Sequence, residues 1–240
     1  MGGKHGNRNR SLYQPCSLDR IDFNYTSMIA VIFRMLILIV ACIIGVPSFA
    51  QIQTGVYFSS DKKYTEIIED LGNPLPGNPV MIVRTFVPKH GSYVWFLNES
   101  KASNSAYFDN NPKDLHAGIF LEDHGGLLPQ IAFKDFSVGL AQPKYLINSC
   151  EIGDANKDGF PEFYLTYFEE SDGLDAKPLK VIVYTRLGGD KFSKSKITAW
   201  IPFQPEDEYR EEKDANFRLL PQHIGLRAER ILKEAKKGIM

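Results

Sequence analysis

Asp154-Ala155-Asn156-Lys157-Asp158-Gly159-Phe160-Pro161-Glu162-Phe163-Tyr164-Leu165-Thr166-Tyr167-Phe168 (residues 154–168) passes without a spacer from an oxygen-rich loop into an aromatic and β-branched run. The second half, Phe163 to Phe168, has strand composition and contains neither Gly nor Pro. The first half sets side-chain oxygens at alternate positions and then bends at Gly159, the residue type that adopts positive φ without strain. It reads as a short calcium loop. Asp154, Asn156 and Asp158 supply hard oxygen ligands, Phe160 offers its carbonyl, and Glu162 closes the shell directly or through water. An EF-hand would need a bidentate Glu at position twelve, where this chain has Leu165 inside the strand. An Asx-rich turn without metal uses the same residues, and that alternative stays open.

Working outward, Leu179 to Arg186 alternates as a strand, Leu187 to Phe192 forms a Gly-rich hairpin turn, and Lys196 to Phe203 returns. Upstream, Tyr145 to Ile152 reads as one apolar strand, and Val80–Val87 and Tyr93–Leu97 form a hairpin around residues 88–92. Gly55–Phe58, Tyr107-Phe108, His116–Leu121 and Leu128–Phe136 are further short strands between turns rich in Asn, Pro, Gly and Asp. Two segments change period. Tyr64, Ile67, Ile68 and Leu71 predict a helix over 61–71, capped by Asp61 and Gly72. Ile224, Ala228, Ile231, Leu232 and Ala235 predict a terminal amphipathic helix that stops near Gly238. Pro202, Pro205 and the charged run 206–214 interrupt the sheet pattern. The expected fold is mainly β (α+β): an antiparallel β-rich single domain over residues 51–240, with a short N-terminal helix and a C-terminal amphipathic helix.

The N-terminus carries a different signal. Arg34 precedes the unbroken apolar run Met35–Val46, and Pro47-Ser48-Phe49-Ala50-Gln51 follows, with small residues at −3 and −1. Residues 28–50 are therefore expected to be a signal peptide cleaved after Ala50, so that the chain meets a membrane only through this segment. A retained span from Met28 to Phe49, or a lipid anchor at Cys42, are the alternatives. Residues 1–27 lack periodicity and are read as an upstream extension, expected to be disordered and set aside from the fold.

Composition narrows the function classes. Of 240 residues, 43% are hydrophobic and 24% charged, which is globular composition with enough apolar material for a sizeable core. Removing residues 1–50 takes away five basic and two acidic residues and leaves 23 basic against 27 acidic, a net −4, which argues against nucleic acid as a partner. Cys150 is then the only cysteine, so no internal disulfide forms, and its apolar surroundings mark it as a small buried hydrophobe. His116, Glu122, Asp123 and His124 make a second metal candidate only if the chain folds back near Gly125-Gly126. No nucleophile elbow, zinc-binding helix, phosphate loop or dinucleotide fingerprint occurs, so no catalytic residue is assigned.

The run EIGDANKDGFPEFYLTYFEESDGLDAKPLKVIVYTRLGGDKF, residues 151–192, resembles a family of small exported proteins of Bacteroidota, some of which are labelled surface polysaccharide biosynthesis proteins. Within it, the loop resembles the D-x-[DN]-x-D-G-x-x-[DE] segments of FG-GAP and integrin-type repeats. The resemblance covers about residues 145–203, and the Ser-Phe-Ala-Gln cleavage region is similar to signals of that group. This chain lacks the paired cysteines of some members. The resemblance implies a cell-envelope role and supplies no catalytic residue; together with the signal-like segment and the calcium-type loop, the expectation is an exported, non-catalytic protein at the periplasm or cell surface, with surface polysaccharide or envelope proteins as partners and calcium as a structural cofactor. A carbohydrate-active hydrolase and a calcium-dependent adhesion module are the alternatives.

Overall fold

Most strands in this chain have apolar side chains at both odd and even positions, and the reason is that both faces of both sheets are covered. The computed structural model describes residues 52–102, 112–189 and 191–239. The chain divides into two units, Met1–Ser48, which lies outside the described residues, and Phe49–Met240, which holds all of them.

The first sheet is an antiparallel meander in sequence order: β1 (Gln53–Tyr57), β2 (Asn78–Val87), β3 (Gly91–Lys101), β4 (Lys113–Asp123) and β5 (Gly126–Asp135). The second contains β6 (Ala141–Tyr145), β7 (Glu151–Gly153), β8 (Glu162–Ser171), β9 (Lys177–Thr185), β10 (Ser193–Ile201) and β11 (Arg210–Lys213). Its order is β11-β10-β9-β8-β6, with β7 also paired to β8, and every pairing is antiparallel. Among the described residues there are also three α-helices: α1 (Lys62–Leu71), α2 (Ala215–Arg218) and α3 (Gln222–Lys237).

Strand parity sorts the core into layers. Met81, Val83, Trp95, Leu97 and Ile119 of the first sheet pack against Phe163, Leu165, Tyr167, Ile182 and Tyr184 of the second. The opposite parity of the second sheet, Tyr164, Val181, Val183, Ile197 and Ala199, packs against Phe217 of α2 and Ile224, Ala228, Ile231, Leu232 and Ala235 of α3. The other face of the first sheet, Ile82, Val94, Phe96 and Phe120, receives Ile67 of α1. The result is four layers, helix–sheet–sheet–helix. Ile224, Ile231 and Leu232 are each at most 2% exposed, which contributes roughly 1.5–3 kcal/mol apiece before the entropy of ordering them.

The mainly β, antiparallel expectation holds, and so do the short helix near the start and the terminal helix, whose five stripe residues are all buried. Some expectations are corrected. Tyr145 to Ile152 is not one strand: a 3-10 turn at Ile147–Ser149 separates β6 from β7. Thr166 of β8 enforces the break, because its Oγ1 donates to Ser149 O at 2.7 Å and its carbonyl accepts from Leu146 N at 3.0 Å. The charged run 206–214 does not simply end the sheet, since Arg210–Lys213 adds an edge strand to β10. Charged side chains suit such an edge, because they oppose pairing with a further chain. Asp61 precedes α1 as expected, yet its carboxylate accepts from Phe58 N at 2.7 Å and makes no bond to the helix. Tyr107-Phe108 and the segment 1–50 lie outside the described residues. Among the described residues no helix is long and apolar enough to cross a membrane.

Candidate functional site

The loop 154–161 joins β7 to β8, and both its ends are fixed by the pair Gly153↔Glu162. Inside it, side-chain oxygens replace the backbone acceptors that a tight turn lacks. Asp154 accepts from Asp158 N through Oδ1 at 3.0 Å and from Gly159 N through Oδ2 at 2.9 Å. Asn156 Oδ1 also receives Asp158 N at 3.2 Å, while its Nδ2 donates to Asp158 Oδ2 at 2.7 Å. Asp158 Oδ1 accepts from Phe160 N at 2.8 Å. Two residues supply the positive φ that winds the loop, Lys157 at 60° and Gly159 at 87°. Lysine pays for that conformation where glycine does not.

Glu162 is the unusual member. It begins β8, is 1% exposed, and accepts from Ala155 N at 2.8 Å and Tyr164 OH at 3.4 Å, both through Oε2. Its other oxygen, Oε1, is buried with no hydrogen-bond partner, the one carboxylate oxygen in that condition among the described residues. Burial pushes its carboxyl up to about 7, the Ala155 N–H pulls it down, and the neighbouring Asp154 and Asp158 charges raise it further.

Phe160 fastens the loop to both sheets. Its ring stands edge-on to His90 at 5.6 Å and to Tyr93 at 5.4 Å, tilts against Phe192 at 5.5 Å, and carries the Arg186 guanidinium 4.6 Å from its centre. His90 and Tyr93 belong to the β2–β3 hairpin, Phe192 and Arg186 to the β9–β10 hairpin. With the ring committed to packing, Phe160 can serve a cation only through its carbonyl.

Helix α3 braces β7, the strand that leads into the loop. Arg227 donates through Nε and Nη2 to Glu151 Oε2 at 3.2 and 3.0 Å and through Nη2 to Ile152 O at 3.3 Å. Its guanidinium lies 5.2 Å from the centre of the Tyr164 ring. Neither Arg227 nor Tyr164 was identifiable from sequence as part of this site, because each enters through packing across layers.

The five proposed ligands, Asp154, Asn156, Asp158, Phe160 and Glu162, thus lie on one loop and the first residue of the following strand. All are oxygen donors, the set that hard cations such as calcium prefer. The side chains are turned onto loop N–H groups rather than onto a common centre: among the described residues no three His, Cys, Asp or Glu side chains converge as a metal shell. The orphaned Glu162 Oε1 is the feature that a cation fits, since a positive charge would satisfy an oxygen that no donor of the protein reaches.

The second candidate cluster does not assemble. His116 Nε2 pairs with Ser100 Oγ at 3.1 Å, Glu122 takes Arg84 in a two-point ion pair at 2.6 and 2.5 Å, and His124 Nδ1 meets Asp123 Oδ1 at 2.5 Å on the exposed β4–β5 turn. Cys150 is half-buried rather than fully buried as expected: its thiol faces Thr166, and desolvation of that thiol pushes it up to about 12.

Comparisons of the chain with protein-family models, with curated proteins and with solved structures return no match.

Proposed function

We propose that this chain is an exported, non-catalytic cell-envelope protein whose Asp154–Glu162 loop binds calcium as a structural clamp. The observation that carries the metal reading is Glu162: a carboxylate 1% exposed, with one oxygen unpartnered, beside Asp154 and Asp158. The Asp154 and Asp158 charges raise the Glu162 carboxyl, a repulsion that a bound divalent cation reverses. A clamp also suits the position of Phe160, which ties the loop to a hairpin from each sheet. Held ionised and coordinated, the loop would fix β7 to β8 and fix the first sheet over the second. No switching role follows, because the elements on both sides are strands already paired along their length.

The envelope role, in surface polysaccharide assembly or recognition, rests on the signal-like segment 28–50 and on the resemblance of residues 151–192 to exported proteins so labelled. Two experiments test the reading. Calcium titrated into chelator-treated protein should raise the melting midpoint, by about 5–10 °C when the ion is at about 100 times its dissociation constant. Asp158→Ala should abolish that rise; an unchanged midpoint in the unaltered chain disproves the metal site. Deletion of the coding sequence should alter surface polysaccharide, and an unaltered envelope would remove the second half of the proposal.

A further inference from the structure

One side chain of α3, Arg227, touches the strand on each side of the Asp154–Glu162 loop. Before the loop, it donates to Ile152 O at 3.3 Å and to Glu151 Oε2, and its guanidinium lies close against Gly153, the residue that precedes the first oxygen donor, Asp154. After the loop, the same guanidinium lies 5.2 Å from the centre of the Tyr164 ring. Tyr164 is 0% exposed and sits among the side chains of the second sheet that pack on α3. Glu162, two residues earlier on the strand, shares its face. Tyr164 OH donates to Glu162 Oε2 at 3.4 Å.

The two oxygens of Glu162 are therefore unequal. Oε2 receives two donors, Ala155 N at 2.8 Å and the Tyr164 hydroxyl, while Oε1 is buried and receives none. Two donors on one oxygen turn the carboxylate so that the lone pairs of the other meet no donor, and a cation completes that arrangement. The phenol can only donate to this carboxylate: burial raises its ionisation, the Glu162 charge raises it further, and the lowering effect of Arg227 does not offset them.

We propose that Tyr164 is the positioning residue of the calcium loop: its hydroxyl, together with Ala155 N, occupies Glu162 Oε2, Oε1 is the oxygen that takes the cation, and Arg227 holds the phenol in place. The inference rests on the calcium reading of the loop and adds a dependence on a distant element. None of the five proposed ligands lies on α3, yet calcium affinity is tied to how α3 is seated. The tie is reciprocal, so bound calcium holds α3 more firmly by the same factor. Hydrogen bonds to the other atoms of a metal ligand orient it, and removing one typically weakens metal binding about 10- to 100-fold. A single hydroxyl at 3.4 Å belongs at the lower end of that range.

The test is calorimetric titration of calcium into the chelator-treated full chain at neutral pH, below the melting transition of every variant, so that the dissociation constant reports the folded state. Tyr164→Phe keeps the ring and its place against Arg227 and removes only the hydroxyl. Arg227→Ala removes what holds the ring. Tyr184→Phe is the control, since the Tyr184 hydroxyl is also buried, has no partner, and lies on the face of the second sheet that packs on the first.

Tyr164→Phe should bind calcium about tenfold more weakly, and Tyr184→Phe should bind it as the unaltered chain does. Arg227→Ala should also bind more weakly, and combined with Tyr164→Phe it should add little, because its effect passes through the hydroxyl that is gone. A purely structural role for Tyr164 would lower melting in chelator without moving the dissociation constant. An unaltered chain that binds no calcium overturns the calcium reading of the loop and this inference with it. An unaltered chain that binds calcium while Tyr164→Phe stays within about threefold of it overturns this inference alone. So does an equal loss in Tyr184→Phe, and fully additive losses overturn the role given to Arg227.

Discussion

The guanidinium of Arg227 fills the space that a side chain on residue 153 would need: a Cβ built on Gly153 would lie 1.9 Å from Arg227 Nη1. Glycine is required here for close approach and not for backbone conformation. Because the obstructing atoms end a flexible side chain, Gly153→Ala will displace Arg227 rather than break the sheet. The displaced guanidinium loses its bonds to Glu151 and Ile152 O. We expect a loss of about 1–3 kcal/mol in chemical denaturation. Arg227→Ala should cost a similar amount, and the double variant little more than either alone, since both remove one contact. Fully additive losses would refute the coupling.

Glu162 makes the metal-free chain sensitive to pH. Its carboxyl is raised in the folded state to about 7, against 4.5 for an unperturbed glutamate. Between these values the folded state holds a proton that the unfolded state has lost, so stability falls as pH rises from about 4.5 to about 7 and then levels. The total is about 3 kcal/mol. In chelator, Glu162→Gln should remove most of that fall and melt higher than the unaltered chain above pH 7. With calcium present the order should reverse, because the amide is the poorer ligand. Melting against pH with and without the ion checks both signs.

Asp154 has a structural duty whether or not a cation binds. Its two oxygens take the N–H groups of Asp158 and Gly159, and Lys157 is held at positive φ between them. Asp154→Ala should therefore destabilise the chain by about 1 kcal/mol even in chelator, a modest figure because the loop is partly wet. Asp154→Asn should recover part of the loss while leaving the calcium response weakened. A loss seen only with calcium would show that the turn needs no Asp.

The layers were legible because period carries burial. The stripe of α3 reads at 3.6 residues, and β2, β3, β8 and β9 read as strands, although the alternation read in Leu179–Arg186 did not show that β9 is covered on both faces. The five oxygen positions were legible too, since loop chemistry is local. What escaped is set by neighbours distant in the chain. The break in Tyr145–Ile152 is made by Thr166 across the sheet, Arg227 meets Ile152 from 75 residues away, and β11 hides because an edge strand is charged like a loop. Glu162 was legible as an oxygen donor but not as a buried one, since its burial comes from the layers around β8.

Cys150 tests how firmly the half-buried β6–β7 turn stays closed over its thiol. Its thiol contacts Thr166 N and O at 3.4 and 3.5 Å, and its raised ionisation leaves almost no thiolate at neutral pH. An alkylating reagent at pH 8 should modify the native chain far more slowly than the unfolded one. Rapid modification would mean that the turn opens readily.

Phe160 offers the sharpest separation between metal and packing. It is 8% exposed and contacts rings or cations from a hairpin of each sheet. Phe160→Ala should cost about 3–5 kcal/mol, the usual range for emptying an aromatic site. Its carbonyl remains, so a donor at position seven survives, whereas Asp158→Ala removes a ligand and leaves the ring. Calcium should therefore still raise the melting midpoint of Phe160→Ala from its lowered baseline, and leave that of Asp158→Ala unmoved. If the ion rescues neither, the ring has been holding the ligands in place as well as the sheets, and the clamp works in the opposite direction: packing builds the site, and the ion adds little to the packing.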